Sequence, residues 1–207
     1  MSLFDLLFLF CFAAAAITVG RIGYLAIRRR FRAAGRVFIR LMVCVAVYML
    51  VLIGFSLFEP QREVPIGTTR CFDDWCITVE QSARQATIGT TKAAGTFCVV
   101  TLRVSSRAKR ITQREPDVYL YLIDESGRRF EISPAGQQAL AQAGLAGEPV
   151  SSFVGPGSSF ESRVVFDVPA NARHLAFVKA SHGWFPVRLI IGEPQSWLHK
   201  PTIDPIQ

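Results

Sequence analysis

The first third of the chain is almost continuously apolar, whereas later segments alternate between apolar and polar positions. No charged residue interrupts residues 41–58, and residues 3–20 contain one charge, Asp5. As α-helices, both stretches would be about 27 Å long, close to the roughly 30 Å hydrocarbon core of a bilayer. A cleaved signal peptide would need a basic segment before the apolar run, but the first basic residue is Arg21. The pattern therefore predicts two transmembrane helices within residues 1–58.

A basic segment separates the two apolar stretches. Residues 21–36 contain six arginines and no acidic residue. Because basic residues accumulate in cytoplasmic loops of membrane proteins, we expect this loop in the cytoplasm, and the N-terminus and all residues after 58 on the other side. Four of its side chains are also expected to contact anionic lipid head groups: Arg28, Arg29, Arg30 and Arg32.

Small residues mark part of the first apolar stretch. Ala16 and Gly20 are four residues apart, so on a helix they would share a face that another transmembrane helix can approach closely. The alternative interpretation is a lipid-facing helix that simply contains several alanines.

Period-two alternation appears after a linker predicted at residues 59–70. It is clearest in residues 96–104, 118–122 and 160–168, and further strands are expected at 75–81, 129–132, 175–179 and 187–191. One short helix interrupts them, with Ser133 as N-cap, Pro134 in its first turn and Gly144 after its end. Together these elements predict an all-β, immunoglobulin-like sandwich over residues 71–195 with one inserted helix, followed by a C-terminal tail at 196–207.

The net charge of +7 does not indicate a nucleic-acid-binding protein. Residues 1–60 hold seven arginines against two acidic residues, whereas residues 61–207 hold sixteen basic and fourteen acidic residues. The excess positive charge is therefore concentrated in the apolar third, where it reports membrane topology rather than affinity for a polynucleotide.

Catalytic and metal-binding patterns do not emerge from the sequence. His174, His182 and His199 are too far apart in sequence for a zinc or haem motif, and no nucleophile elbow or phosphate-binding glycine loop occurs. Asp73 and Asp74 are adjacent, so in an extended chain their carboxylates would point in opposite directions. We therefore expect a non-enzymatic protein without cofactor or metal.

The cysteines divide between the two parts of the chain. Cys11 and Cys44 lie in the apolar stretches, whereas Cys71, Cys76 and Cys98 fall in the part predicted to face an oxidising compartment. Strand parity places Cys98 on the core face and Cys76 on the opposite face, which disfavours a bond between them. Cys71 and Cys76 can pair if the chain turns back between them, but not if it stays extended. We predict this pair, with Cys98 as a buried free thiol.

Four segments together resemble a telokin-like, immunoglobulin-like domain of unknown function found on bacterial membrane proteins and lipoproteins. The segments are residues 71–79, 95–104, 122–130 and 157–169, with the later Leu175-Ala-Phe177. The resemblance covers roughly residues 66–192 and implies an extracytoplasmic β-sandwich, here on the inner membrane of a bacterium. It supplies no catalytic residues. The two apolar stretches depart from the lipobox or single span expected of such proteins.

These features predict a membrane-anchored binding or scaffold module facing the periplasm or cell exterior, and an accessory subunit of a membrane protein complex. The alternatives are a regulatory subunit of a small transporter or channel, and an envelope redox protein or enzyme. Partner docking is expected in the irregular stretch 145–158, at Val150, Phe153 and Val154, because apolar side chains in a surface loop often mark interaction sites. Alternatively, Phe153 folds back and caps one end of the sandwich.

Overall fold

The computed structural model describes residues 3–181, 186–191 and 196–206. The polypeptide divides into two compact units. One comprises residues 1–60 with 183–200, and the other comprises residues 61–182 with 201–207. The first unit is built on two long helices and the second on two β-sheets.

The helical unit contains α1 (Leu3–Ile27) and α2 (Phe31–Phe58). Both helices are long and apolar enough to cross a membrane. They pack against each other, for example through Phe4 and Phe55, whose ring centroids are 5.7 Å apart. The predicted loop at 21–36 is much shorter than expected: only residues 28–30 leave the helical conformation, and Arg29 adopts a positive φ of 56°. Arginine is a good helix former, so the flanking basic residues extend both helices.

The helical unit also includes a short 3₁₀ helix, Val187–Leu189. The prediction of a strand at 187–191 is therefore wrong. The Leu189 N–H donates to the Pro186 carbonyl at 3.1 Å, which closes a turn instead of a strand ladder. The Tyr48 hydroxyl of α2 donates to the Leu189 carbonyl at 2.5 Å, and the Ser56 and Ser196 hydroxyls are 3.4 Å apart. This turn and Ser196 thus lie along the second half of α2.

Within the described residues, the second unit is a β-sandwich of two four-stranded antiparallel sheets. One sheet has the order β1 (Thr69–Phe72), β2 (Trp75–Ile88), β3 (Thr91–Ser106), β6 (Ser159–Val168). The other has the order β5 (Arg129–Phe130), β4 (Val118–Ile123), β7 (Ala176–Ser181), β8 (Ile203–Pro205). In an immunoglobulin-like sandwich, strand B pairs with strand E in one sheet and strand C with strand F in the other. The β3–β6 pair, and the β4–β7 pair within the β5–β4–β7–β8 order, are consistent with this arrangement.

The core lies between the two sheets and follows the alternation of the sequence. Trp75, Ile77 and Val79 of β2 face it, as do Cys98, Val100, Leu102 and Val104 of β3. At its centre, the rings of Phe166 and Phe177 meet edge to face with centroids 6.1 Å apart.

The inserted helix α3 (Pro134–Gln142) covers the outer face of the first sheet. The Ser133 hydroxyl caps it by accepting the Gly136 N–H at 3.2 Å, as predicted. Ala139 and Leu140 pack there on Phe97, Val99 and Val165. The helix therefore buries apolar positions on the face of the sheet that points away from the core.

The predicted linker and tail both contribute to the second sheet. The Val64 N–H donates to the Ile203 carbonyl, and the Ile203 N–H donates to the Arg62 carbonyl, both at 2.9 Å. Residues 62–64 therefore pair with β8, whereas Thr69 and Arg70 begin β1. The boundaries predicted at 59–70, 71–195 and 196–207 were wrong here, because a strand of only three residues that ends in a proline is too short to show alternation.

Candidate functional site

A groove opens in the sandwich where α3, the loop after it and strands β4 and β6 meet. Its volume is about 750 Å³. Apolar side chains line most of its wall: Val118, Leu120, Ile132, Ala141, Ala146, Val150 and Val164. Grooves of this size, mostly apolar with a few polar groups, are typical of binding sites.

The charged residues in the wall of the groove are all acidic: Glu115, Glu131 and Glu148. Glu131 is paired with Arg129 at 2.6 Å, and the Ser152 hydroxyl lies 3.4 Å from a carboxylate oxygen of Glu148. Burial raises the pKa of Glu115 above its usual value. An apolar groove with carboxylates in its wall is complementary to a basic and apolar segment.

The structure separates the three residues predicted to dock a partner. Val150 is half-buried and lines the groove. Val154 is only 2% exposed and exchanges backbone hydrogen bonds with Gln113 at 2.8 and 3.0 Å. The prediction is wrong for Val154, which packs in the core and is not available to a partner. Phe153 is 63% exposed and does not cap the sandwich; the Arg114 guanidinium lies 4.9 Å from the centre of its ring.

A disulfide joins Cys71 and Cys76, the pair favoured from the sequence. Asp73 and Asp74 form a two-residue turn between β1 and β2, with Asp73 at a positive φ of 58°. The two cysteines are therefore directly opposite each other on neighbouring strands, with Cα atoms 3.9 Å apart. The chain does turn back between them, which was the condition for this pairing.

Cys98 is a free cysteine buried in the core of the sandwich. Burial raises the pKa of its thiol to about 11. Since the thiolate is the reactive form, this side chain is a poor nucleophile near neutral pH.

A buried cluster of charges joins β7 to the segments predicted as the linker and the tail. Lys179 Nζ lies 3.0 Å from Asp204 Oδ1 and donates to the Thr68 carbonyl at 3.3 Å. Arg70 donates to the carbonyl of Lys179 at 3.1 Å. Both side chains of the Lys179–Asp204 pair are fully buried, and burial lowers the pKa of Lys179 and raises that of Asp204. One sign of this cluster is present in the sequence. Lys179 lies at alternate positions from Leu175 and Phe177, so in a strand it points to the same side as these core residues.

The predicted lipid-contacting arginines lie at the tip of the helical hairpin. Arg28, Arg29 and Arg30 form the break between the helices, and Arg32 lies in the first turn of α2. All four side chains are exposed. The Arg28 guanidinium also donates to the Tyr24 hydroxyl at 3.2 Å.

Ala16 and Gly20 are exposed on α1. The half-buried residues of that helix, among them Phe8, Cys11 and Thr18, lie at other positions around it. The two small residues are therefore not part of the contact between α1 and α2.

The described residues contain no group of three potential metal ligands. His174 is exposed, 3.8 Å from the Glu125 carboxylate, and His199 Nδ1 is 3.5 Å from a carboxylate oxygen of Glu59. His182 lies outside the described residues.

No protein-family profile matches the chain, and no curated protein is similar to it in sequence. Among solved structures, it is similar to a conserved hypothetical protein from Bacillus anthracis, with 12% identity and a TM-score of 0.46 over 56% of this chain and 88% of that one. It is also similar to an uncharacterized β-sandwich protein from Clostridium difficile, with 10% identity and a TM-score of 0.44 over 72% and 96%. A secreted protein from Mycobacterium tuberculosis matches with 12% identity and a TM-score of 0.40 over 57% and 89%.

Proposed function

We propose that the protein is a non-enzymatic, membrane-anchored binding or scaffold module of a bacterial inner membrane, and an accessory subunit of a membrane protein complex. Its helices cross the bilayer, the turn at Arg28–Arg30 lies in the cytoplasm, and the telokin-like sandwich faces the periplasm or the cell exterior. The groove beside α3 binds a basic segment of the partner.

One observation carries the anchoring: the helices expose their apolar side chains. In the most apolar 18-residue stretch of α1 no residue is buried, and in the corresponding stretch of α2 only 11% of the residues are buried. Exposing this much apolar surface to water would be very unfavourable, at about 25 cal/mol per Å². A bilayer removes the cost, because its hydrocarbon is as apolar as the side chains.

The ionisable residues of the two helices favour an anchor over a transport pathway. Within the described helices, the Asp, Glu, Lys, Arg and His residues are Asp5 near one end and arginines at or near the end close to the turn. Ion and proton pathways usually place such residues in the middle of the membrane. Arg40 is the deepest of them in α2, and 18 uncharged residues follow it.

Anchoring and topology are tested by alkaline extraction of membranes and by cysteine labelling from outside spheroplasts. In a background without Cys11 and Cys44, a membrane-impermeant maleimide should label Ser126→Cys, at the tip of the β4–β5 hairpin. It should not label Arg29→Cys until the membrane is permeabilised. Release of the chain by carbonate would contradict the anchor, and labelling of only Arg29→Cys would reverse the orientation.

Binding in the groove is tested with a photo-crosslinking amino acid in living cells. A crosslinker at Val150 should give a discrete adduct with a membrane protein, whereas one at the exposed Ala83 should not. Glu115→Gln with Glu148→Gln should weaken the adduct, and Glu125→Gln, which removes a charge outside the groove, should not. Equal adducts at positions 150 and 83 would contradict the docking site.

A further inference from the structure

A second cavity lies within the helical unit, between α1 and α2. Its volume is about 590 Å³. The helices leave this space because small side chains of α1, including Cys11, Ala15 and Thr18, face it. The buried residues of α2 are Ala34, Leu52 and Ser56, so that helix buries side chains near its two ends and not between them.

The two ends of this interhelical cleft differ in chemistry. Arg21 of α1 and Arg40 of α2 line the end nearer the turn. The other end is lined by apolar and aromatic residues, and there the Tyr48 hydroxyl is bonded to the Leu189 carbonyl. These two polar atoms are hydrogen-bonded to each other, so the apolar end of the cleft needs no polar group from a ligand.

The cleft is long enough to hold an acyl chain from one leaflet of a bilayer. Along α2, the nine residues from Arg40 to Met49 span about 14 Å, and along α1 the thirteen residues from Arg21 to Phe8 span about 20 Å. These lengths are roughly half to two thirds of a 30 Å hydrocarbon core. Arg21 and Arg40 directly flank the uncharged stretches 3–20 and 41–58, apart from Asp5. Their guanidinium groups therefore lie at the level of the lipid head groups if these stretches span the hydrocarbon.

We propose that this cleft binds one anionic phospholipid of the cytoplasmic leaflet, with an acyl chain between the helices and its phosphate at Arg21 and Arg40. This inference rests on the transmembrane placement proposed above. Guanidinium groups bind phosphate through paired hydrogen bonds, and basic pockets between transmembrane helices on the cytoplasmic side bind anionic head groups. An apolar partner helix in the same cleft would leave both arginines without a counter-charge.

The site differs from the arginine cluster at the turn. Arg28, Arg29, Arg30 and Arg32 belong to the tip of the hairpin, and none of them lines the cleft. Those side chains can contact many lipids through charge alone. The cleft combines two arginines with an apolar channel, and so it favours a single lipid that carries an acyl chain and a net negative charge. The choline cation of a zwitterionic lipid would be repelled by the two guanidinium groups.

The experiment is native mass spectrometry of the full chain, purified in mild detergent, stripped of lipid and mixed with equal amounts of dioleoylphosphatidylglycerol and dioleoylphosphatidylcholine. We expect one phosphatidylglycerol adduct in clear excess. Arg21→Gln with Arg40→Gln should reduce its occupancy about ten-fold. Arg29→Gln with Arg32→Gln removes the same charge at the turn and should reduce it little. Ala15→Phe, which fills the cleft and keeps both arginines, should abolish the adduct.

Equal binding of the two lipids would overturn the proposal. An equal loss in the cleft and turn variants would do so as well, because it would show attraction by charge alone. Co-purification of a membrane protein that Ala15→Phe releases, with no lipid adduct, would show that a partner helix fills the cleft. A chain that resists carbonate extraction but binds no phosphatidylglycerol refutes only the lipid site. A chain that carbonate releases refutes the anchor itself.

Discussion

The two units of this protein place the same kinds of side chain in opposite environments. Phe10 and Phe12 of α1 are 73% and 65% exposed, whereas Phe166 and Phe177 of the sandwich are fully buried. In the sandwich, water drives phenylalanine into a core between two sheets. The described helices enclose no core of this kind, which is consistent with the membrane placement proposed above. The comparison shows that the amount of apolar sequence does not determine burial; its period and length do.

The largest expected effect separates the two environments directly. Phe166→Ala should lower the free energy of unfolding of the sandwich by about 3–5 kcal/mol, because it leaves a cavity beside Phe177. Phe10→Ala should leave that free energy unchanged. Urea denaturation of the detergent-solubilised chain, followed by tryptophan fluorescence, measures both. A loss below about 1 kcal/mol for Phe166→Ala would contradict the assignment of this ring to a tightly packed core.

The second effect concerns charge in the same core. Lys179→Met leaves the carboxylate of Asp204 buried without its partner and should lower the free energy of unfolding by about 3–5 kcal/mol. The upper end of this range is reached only if the site cannot relax. The double variant Lys179→Met with Asp204→Leu should recover most of the loss, since an apolar pair can replace a buried ion pair. The same denaturation experiment applies. A double variant as unstable as the single one would mean that packing, not charge, explains the loss.

The third effect concerns the cysteines of the sandwich. Reducing the Cys71–Cys76 bond should lower the free energy of unfolding by only about 1–2 kcal/mol, because the bond closes a short loop. Cys98, whose pKa burial raises to about 11, should resist alkylation at pH 8 until the chain unfolds. Peptide mapping with differential alkylation measures the pairing. Cys98 in a disulfide, or alkylated in the folded protein, would contradict the structure.

Local alternation was sufficient to predict much of the sandwich. The core face of β3, the cap of α3 at Ser133 and the end of β6 before Pro169 were all expected. By contrast, residues 81–87 of β2 contain no alternating apolar side chains and are mostly exposed, so the continuation of the strand to Ile88 could not be predicted. In β8, pairing with β7 and with residues 62–64 determines the strand, and neither partner is near in sequence.

The groove could not be predicted for a similar reason. Glu115, Glu131 and Glu148 come from three segments that only the folded sandwich brings together. The loop that supplies Val150 was predicted, because glycines and prolines mark it. Its apolar residues could not be assigned to the groove, the surface or the core, since an irregular segment has no period from which orientation follows.

A smaller effect is expected at the tip of the β4–β5 hairpin, and it depends on pH. Asp124 accepts hydrogen bonds from Ser126 and Arg128, which lower the pKa of its carboxyl from 3.8 to about 2. Because the folded pKa is the lower one, the stabilisation is present above pH 4 and disappears as the pH falls towards 2. Asp124→Asn should therefore unfold at a lower temperature than the wild type at pH 6, and most of this difference should be lost near pH 2. A difference that is the same at both pH values would contradict this role of the carboxylate.

The smallest expected effect on stability is at Phe153, and it tests the loop residue by residue. Phe153→Ser removes a ring that is 63% exposed and contacts the Arg114 guanidinium, so the loss should be about 0.5–1 kcal/mol, the size of an exposed cation–π contact. Val154→Ser, one residue later, places a hydroxyl in the core and should cost about 2 kcal/mol or more. Thermal denaturation of the two variants measures the difference. A similar loss in both would place Phe153 in the core and remove it from any docking surface. A small loss for Phe153→Ser together with a weaker crosslink from position 150 would extend the docking surface from the groove to this ring.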